Sequence, residues 1–399
     1  MSLYEPASEA EARDHVTAAG AARRPLSLRG GGTRAGLGRP DNTTDVLSSK
    51  GLTGITLYEP SELVIAARAG TPVRVLEAEL DGRGQMLPVE PMDHRGLYGA
   101  GGAPSTGEPT VGGLVATNAS GPRRFAAGAI RDHLIGVKLV NGRGESVASG
   151  GRVMKNVTGL DLVKLECGAH GTLGFLTEVT FKVVPKPETS ATLAFHGLDD
   201  ARAVEALCRA VGSPFEMTGA AHLPASGTEP ARTLLRFEGF ASSVEDRATR
   251  LAAQLAEFGV PERLKSGEGA ALWSALRDGL AFGAAEDGAV WRVSVAPTRG
   301  PALAERLRAV AERHCFDWSG GLLWLATRPD GDAGAAVIRA AVAAVGGGHA
   351  TLVRAPDAVR AAVDVFEPLV PALKAVTARI KASFDPDALF NPGRMYGGV

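Results

Sequence analysis

The 399-residue sequence has few of the features that mark several common protein classes. Its three cysteines, Cys167, Cys208 and Cys315, lie far apart and form no CxxC pair, which excludes an iron–sulfur or zinc-ribbon ligand run. No apolar run reaches the roughly 18 residues that a membrane span needs. Neither GxGxxG after a strand nor GxxxxGK[ST] occurs, so the common Rossmann and P-loop nucleotide-binding motifs are excluded.

Charge is balanced, with 43 basic and 44 acidic residues and a net charge of −1. This balance argues against a broad surface for nucleic acid or anionic membrane. The first residues, "MSLYEPASEAEARDHV", are acidic and polar, unlike a secretory signal. We therefore expect a cytoplasmic protein that binds no nucleic acid and contains no membrane span.

Histidine is also sparse, and it forms no cluster with metal-ligand spacing. His196, His222, His314 and His349 are each isolated in the sequence. We interpret them as surface or hydrogen-bonded structural residues, and we predict no metal site.

The pattern of elements predicts an α+β protein with a boundary near residue 187. Up to that point short strands alternate with glycine-rich turns, and "TPVRVLEAELDG" predicts a helix that Thr71 caps and Gly82 ends. Alanine-rich helices then alternate with strands whose short connections predict an antiparallel sheet with helices on one face. We expect residues 1–187 and 188–380 to form two domains, with 381–399 returning to the first.

Glycine is abundant in four loops that also carry small hydrogen-bonding residues. These are RGGGT (29–33), TVGGLVATNASG (110–121), GAHGTLGF (168–175) and NPGR (391–394). Glycine lets a ligand approach the main chain, and successive backbone N–H groups form a nest for an anion. The four loops together predict a diphosphate site built without lysine.

These loops and their order resemble the vanillyl-alcohol oxidase (PCMH-type) flavoproteins. The segments "GQMLPVEP", "ASGPRRFAAGAIRDHLIG" and "VMKNVTGLDLVKL" narrow the resemblance to the family of smaller FAD-binding subunits of bacterial glycolate oxidases. The resemblance implies a two-lobed PCMH-type FAD-binding domain with an antiparallel cap. It also implies a larger FAD-binding subunit and an iron–sulfur subunit as partners, through which the chain can associate with the inner face of the cell membrane.

Carried onto this sequence, the resemblance implies FAD contacts in all four loops. The cofactor-binding residues predicted in this way are Arg29, Gly30, Gly31, Gly32, Thr33, Thr110, Gly112, Gly113, Thr117, Asn118, Ser120, Gly121, Gly171, Thr172, Gly174 and Asn391. No histidine or cysteine lies in "SLRGGGTRAGLGRP", so we expect non-covalent FAD. His94 and Cys167 are the nearest attachment residues in the other loops.

Candidates for substrate chemistry are fewer, and no catalytic residue is assigned. Arg292, in the strand "VWRVSVAP", is a candidate to bind a substrate carboxylate bidentately; an outward-facing arginine paired with an acid is the alternative. Lys155 and Asp161 match the family pattern without a derived role.

The leading hypothesis for function is oxidation of glycolate, a small 2-hydroxy acid, to glyoxylate, with electrons passed to partner subunits. A self-sufficient FAD-linked oxidase of another 2-hydroxy acid or alcohol is one alternative. A non-catalytic structural subunit is the other.

Overall fold

A small parallel sheet begins the chain in the computed structural model, which describes residues 2–99, 106–151, 160–282 and 288–398. Its strands are β1 (Ser2–Tyr4), β2 (Leu26–Arg29) and β3 (Asp45–Ser48), with β3 in the centre. Helix α1 (Glu9–Ala21) is the crossover between β1 and β2, which both run parallel to the central strand β3. The side chain of Ser8 caps this helix by accepting a hydrogen bond from the Glu11 N–H.

A five-stranded antiparallel sheet forms the second lobe of the first domain. Its order is β4-β5-β9-β7-β8, with the strands β4 (Ile55–Glu59), β5 (Val64–Arg68), β7 (Leu134–Asn141), β8 (Ser146–Gly150) and β9 (Gly174–Lys182). A two-residue ribbon pairs β6 (Gln85–Met86) with β10 (Val184–Pro185). The helices of this lobe are α2 (Val73–Asp81), α3 (Arg95–Tyr98), α4 (Val111–Thr117), α5 (Arg124–Ala127), α6 (Ile130–His133) and α7 (Leu162–Glu166).

Helix α2 has the buried face and the end that the sequence predicts, but not the predicted cap. Its buried residues Val73, Leu76 and Leu80 follow the predicted helical spacing, and it ends at Gly82 as predicted. The predicted cap is wrong, because the residue that precedes the helix is Pro72. The Thr71 hydroxyl instead donates to the Arg68 carbonyl (2.7 Å) and accepts from the Gly54 N–H (3.0 Å). It therefore connects the end of β5 to the loop that precedes β4.

The cap domain is an eight-stranded antiparallel sheet made of two similar halves. Each half runs β-α-β-β-α-β, the order of a split βαβ unit. The first half comprises β11 (Thr189–His196), α8 (Asp200–Val211), β12 (Gly219–Leu223), β13 (Arg232–Gly239), α9 (Ala241–Gln254) and β14 (Glu262–Arg263). The second comprises β15 (Ala289–Ser294), α11 (Gly300–Leu307), β16 (Ala311–Asp317), β17 (Leu322–Thr327), α12 (Ala335–Ala344) and β18 (His349–Arg354). The halves join where β12 pairs with β16.

The two faces of the cap sheet have different partners. The crossover helices α8, α9, α11 and α12 cover one face, which confirms the predicted layer of helices. The other face packs on the first domain, where Val290 and Trp324 share a core with Leu37, Met92 and Leu97. Helix α10 (Ser266–Asp278), which links the two halves, also contributes to this second core through Trp273 and Leu276.

After the cap, helices α13 (Asp357–Ala362) and α14 (Pro371–Phe384) lead the chain back to the small sheet. Leu26 donates its N–H to the Leu389 carbonyl (2.7 Å), and its own carbonyl accepts from the Asn391 N–H (3.1 Å). Leu389 and Phe390 are buried in the core of the small sheet. Residues from both ends of the chain therefore complete one lobe.

Two buried ion pairs also connect the domains. Arg123 of the first domain binds Glu238 of β13 (Nη2–Oε1, 2.7 Å). Arg236 of the same strand binds Glu90 of the first domain (Nη1–Oε1, 2.7 Å), and Glu90 also accepts from the Arg123 N–H. Charge pairs with so little exposure are costly to break singly, so they hold the cap in register on the first domain.

Candidate functional site

A cavity in the first domain collects most of the predicted cofactor residues. It contains about 930 Å³ of empty space, counting its open mouth. The predicted residues that line it are Arg29, Gly30, Gly31, Gly32, Thr33, Thr110, Gly112, Gly113, Thr117, Gly171, Gly174 and Asn391. The fold thus brings together loops that are far apart in sequence, such as those that contain Arg29 and Asn391.

The other predicted cofactor residues, Asn118, Ser120, Gly121 and Thr172, are not among the residues that line this cavity, and they bind other parts of the chain. The Asn118 Oδ1 accepts from the Arg131 N–H, and the Ser120 Oγ accepts from the Ile130 N–H. The Gly121 carbonyl accepts from Trp318 Nε1 (3.2 Å). The Thr172 hydroxyl donates to the Ala169 carbonyl (2.7 Å). These contacts fix the loops that carry the four residues.

The three glycines of RGGGT have separate roles. A side chain on Gly30 would place its Cβ 2.2 Å from the Thr110 Oγ1, and one on Gly31 would lie 1.7 Å from the Glu108 carbonyl oxygen. Both positions therefore need glycine because another loop packs against them. Gly32 has φ +81°, and a Cβ there would meet no atom within 4 Å. This glycine is required for the left-handed turn that follows β2.

Asn391 joins two of the loops from the far end of the chain. Its Oδ1 accepts from the Leu28 N–H (2.8 Å), and its Nδ2 donates to the His170 carbonyl (2.8 Å). Its φ of 42° is left-handed, a conformation that asparagine tolerates better than most residues. A single amide group therefore fixes the distance between β2 and the loop 168–171.

Arginines give the cavity a positive potential. Arg29, Arg34 and Arg394 line it. Asp41 Oδ2 lies 3.6 Å from Arg29 Nη2, whereas Asp93 and Asp278 lie near Arg34 without forming an ion pair with it. Burial lowers the pKa of Arg34 below its usual value and that of Arg394 to about 10. Guanidinium groups buried with so little countercharge favour an anionic ligand.

Sequence reasoning missed Arg34, Arg394, His170 and Glu166 as lining residues. The first three lie within or directly beside the glycine motifs, so their position was the available signal. Burial lowers the pKa of His170 to about 3, and its ring packs edge-on against Phe366 from the cap. Glu166 follows an apolar stretch, where nothing marks a cavity-lining carboxyl. It is 2% exposed, and burial raises its pKa to about 8.

Arg292 lies on the cap face that packs against the first domain. It pairs with Trp324 across β15 and β17, and its guanidinium lies over the rings of Trp324 (5.1 Å) and Trp318 (5.3 Å). Arg124 also lies over Trp318 (5.1 Å). Burial, together with the charge of Arg124, lowers the pKa of Arg292 to about 10. The described residues place no carboxylate within ion-pair distance of Arg292, although Asp317 is near enough to raise its pKa.

The remaining candidates have structural contacts. Asp161 caps α7 by accepting from the Lys164 N–H (3.0 Å), whereas Lys155 lies outside the described residues. His94 is buried, with its Nδ1 3.4 Å from Arg34 Nε. The Cys167 thiol lies beside the Asn118 side chain (Sγ–Oδ1, 3.6 Å).

The cap brings together two histidines that are isolated in sequence. Asp200 Oδ2 lies 2.8 Å from His314 Nε2, and its Oδ1 lies 3.3 Å from His222 Nε2. Although burial opposes the shift, these histidines hold the pKa of Asp200 well below its usual range. Elsewhere, His196 pairs with the exposed Glu262. Within the described residues, no three or more ligating side chains are arranged to hold a metal ion.

Comparisons with known proteins agree on family and fold. A family model described as an FAD binding domain matches residues 2–150. The glycolate oxidase subunit GlcE of Escherichia coli (strain K12) is 34% identical over 376 residues, which are 93% of this chain and 93% of that protein. The glycolate oxidase subunit GlcD of Bacillus subtilis (strain 168) is 31% identical over 172 residues, 43% of this chain and 34% of its own length.

A solved structure of alkyldihydroxyacetonephosphate synthase superposes with a TM-score of 0.68 at 17% identity. It covers 98% of this chain and 76% of its own. At that identity the likeness concerns the fold. In the described parts of the chain, no helix combines the length and the apolar character needed to cross a membrane.

Proposed function

Because this chain belongs to the PCMH-type family of FAD-linked oxidoreductases, we propose that it is the smaller FAD-binding subunit of a glycolate oxidase complex. The chain is an FAD-dependent oxidoreductase by family, and its likeness to GlcE over nearly its whole length supports the finer assignment. In the complex, glycolate is oxidised to glyoxylate. A larger FAD-binding subunit and an iron–sulfur subunit are the partners, and they carry any association with the cell membrane.

The observation that carries the proposal is the glycine-lined, arginine-rich cavity. Gly30 and Gly31 bring two loops into contact, and the exposed turn at Gly32 leaves main-chain N–H groups open for a diphosphate. Arg34 and Arg394 supply positive charge that no described carboxylate neutralises by an ion pair. We assign the cofactor contacts to the loops at 29–33, 110–121, 171–174 and Asn391. The residues present therefore fit FAD.

FAD supplies the hydride-accepting chemistry when it is bound. The contribution of this chain is position and charge. Arg292, held between Trp318 and Trp324, is the proposed anchor for the substrate carboxylate, since a guanidinium binds carboxylate bidentately. Its neighbour Arg124 adds a second positive charge next to the same ring. The sequence has no cysteine set for an iron–sulfur cluster, so electrons leave through a partner.

Non-covalent attachment is part of the proposal. The ring of His94 is buried beside Arg34, and burial raises the pKa of the Cys167 thiol to about 12, which keeps it protonated and unreactive. Acid precipitation of the purified protein will therefore release nearly all of its yellow chromophore into the supernatant, measured by absorbance. Flavin that stays with the pellet would contradict this, and a His170→Ala variant would then identify that cavity residue as the attachment point.

Turnover tests the complex itself. We expect glycolate-dependent reduction of a dye acceptor to be slow or absent with the single chain and steady when both partner subunits are co-purified. The reason is that hydride transfer to the flavin requires a base for the hydroxyl proton of glycolate, and no residue of this chain is assigned that role. The matched variant is Arg292→Gln in the complex, which keeps hydrogen-bond donors and loses the charge.

If this chain binds the substrate, Arg292→Gln will raise KM by about tenfold or more, the loss expected when a charge-assisted bidentate contact becomes neutral. Turnover by the single chain at the rate of the complex would favour the self-sufficient enzyme instead. Unchanged kinetics in the variant would indicate that a partner subunit binds the substrate, and would favour the structural alternative.

A further inference from the structure

Glu166 is a carboxyl group that lines the cavity without a described function. It is the last residue of α7, and with Val163 it forms the buried side of that short helix. The residues that line the same cavity include Ala116, Thr117 and Leu176. Its Oε1 is buried and has no hydrogen-bond partner among the residues that the structure describes. Buried polar atoms are rarely left in this state unless a ligand or water completes them.

Among the described residues, the elements packed against Glu166 carry little charge. Arg29, Arg34 and Arg394 line the same cavity, but they are not among the causes that shift the pKa of Glu166. Helix α4 and strand β8 contain no ionisable residue. On β7 the charged residue is Lys138, which is paired with Glu178. Lys164, on α7 itself, donates to the Arg131 and Leu134 carbonyls. The other ionisable groups on the adjacent segments are Cys167 and His170 after the helix, Arg131, Asp132 and His133 on α6, and Asp161 before α7.

Burial raises the pKa of Glu166 to about 8, and none of these charged groups contributes to the shift. His170 is neutral for the same reason. At neutral pH the side chain is therefore a carboxylic acid, which carries a donor O–H and an acceptor C=O side by side. Burial of the charged form without a partner would be far more costly.

We propose that Glu166, as the neutral acid, pairs through two hydrogen bonds with a ring edge of bound FAD that presents an acceptor next to an N–H donor. The proposal rests on FAD occupying this cavity. Adenine has such an edge, as its pairing with asparagine and glutamine amides demonstrates. The pyrimidine-like ring of isoalloxazine, with a carbonyl beside an N–H, has another. Ligands that contain only one of these two ring systems show which of the two edges pairs with Glu166.

The test is FAD affinity of the full chain as a function of pH from 6 to 9, measured by fluorescence titration of the FAD-free protein. Wild-type Kd will stay level to about pH 7 and rise above pH 8 toward about tenfold per pH unit, since ionisation removes the donor. Glu166→Gln keeps a donor and an acceptor and cannot ionise. It will bind within about threefold of wild type at pH 7 and will lack the rise. The ratio of the two Kd values at each pH removes the titration of all other groups.

Glu166→Leu, similar in size and without polar atoms, will weaken FAD binding by about tenfold or more at every pH. Circular dichroism checks its fold; if it does not fold, the comparison of wild type with Glu166→Gln decides alone. Equal pH profiles for those two, or an affinity that improves as pH rises, would overturn the proposal. So would wild-type affinity in the leucine variant.

ADP and FMN identify the ring. If the pH rise and the leucine effect appear with ADP and not with FMN, the partner is adenine. The reverse result, with a shift in the visible flavin spectrum between wild type and Glu166→Leu, assigns isoalloxazine. An effect on FAD that neither ligand reproduces would refute direct pairing and make Glu166 a residue of loop structure. These readouts use no turnover, so they are independent of whether glycolate is the substrate.

Discussion

Gly31→Val will abolish FAD binding and leave the cap domain folded. A Cβ at this position would lie 1.7 Å from the Glu108 carbonyl oxygen and 2.8 Å from its carbonyl carbon, and both belong to main chain that cannot rotate away. The loops at 29–33 and 107–110 must then separate. The Thr110 side chain packs against Gly30, so the contact between these two residues is disturbed as well. Flavin content of the purified variant, from its visible spectrum, gives the result.

The matched control is Gly267→Val. Gly267 is exposed in helix α10, and a Cβ there would meet nothing within 4 Å. The control should keep full flavin content with little change in stability. Circular dichroism of both variants verifies that secondary structure is retained. A Gly31→Val protein with wild-type flavin content would show that this loop does not hold the cofactor.

Lys381→Met will lower the free energy of unfolding by about 3–5 kcal/mol, the loss typical when a buried ion pair loses one partner. Lys381 Nζ donates to Asp385 Oδ2 (2.6 Å) and to the carbonyls of Thr172 (2.7 Å) and Phe390 (2.8 Å). The side chains are 7% and 0% exposed. Methionine keeps most of the volume, but it leaves the Asp385 carboxylate buried without its cation.

Urea unfolding, followed by circular dichroism and by flavin fluorescence, measures the loss. Lys374→Met on the exposed part of the same helix is the control and should change stability by no more than about 0.5 kcal/mol. The double variant Lys381→Met/Asp385→Asn should recover part of the loss, because it removes the uncompensated charge. A single variant as stable as the control would mean that the pair contributes nothing.

The sequence alone predicted features that depend on residues close together along the chain. The motif RGGGT predicted a close approach to its main chain, which we expected a ligand to make; at Gly30 and Gly31 the structure shows a close approach by the Thr110 hydroxyl and the Glu108 carbonyl. The alternation of helices and strands after residue 187 likewise predicted the antiparallel cap and its layer of helices. The domain limits at 187 and 380 and the cofactor contacts of individual residues stay predictions.

The rest depends on contacts between distant segments, which no local pattern reports. Thr71 has the residue type of a helix cap, yet its hydroxyl is used by Arg68 and Gly54. Asp200 meets His222 and His314 because α8 starts where β12 and β16 join, and those strands are distant in sequence. The two halves of the cap repeat the same order of strands and helices, and this repeat is recognised from the pairing of the strands.

The return of the chain to its first lobe has a consequence for biosynthesis. The Leu28 N–H and its acceptor, Asn391 Oδ1, are 363 residues apart. At a synthesis rate of about 5–20 residues per second, that separation delays the contact by roughly 20–70 seconds after Leu28 is made. The nascent first lobe meanwhile lacks Leu389 and Phe390 from its core, and Asn391 is missing from the cavity wall. Cofactor loading onto the finished cavity is therefore a step that follows synthesis of the whole cap domain.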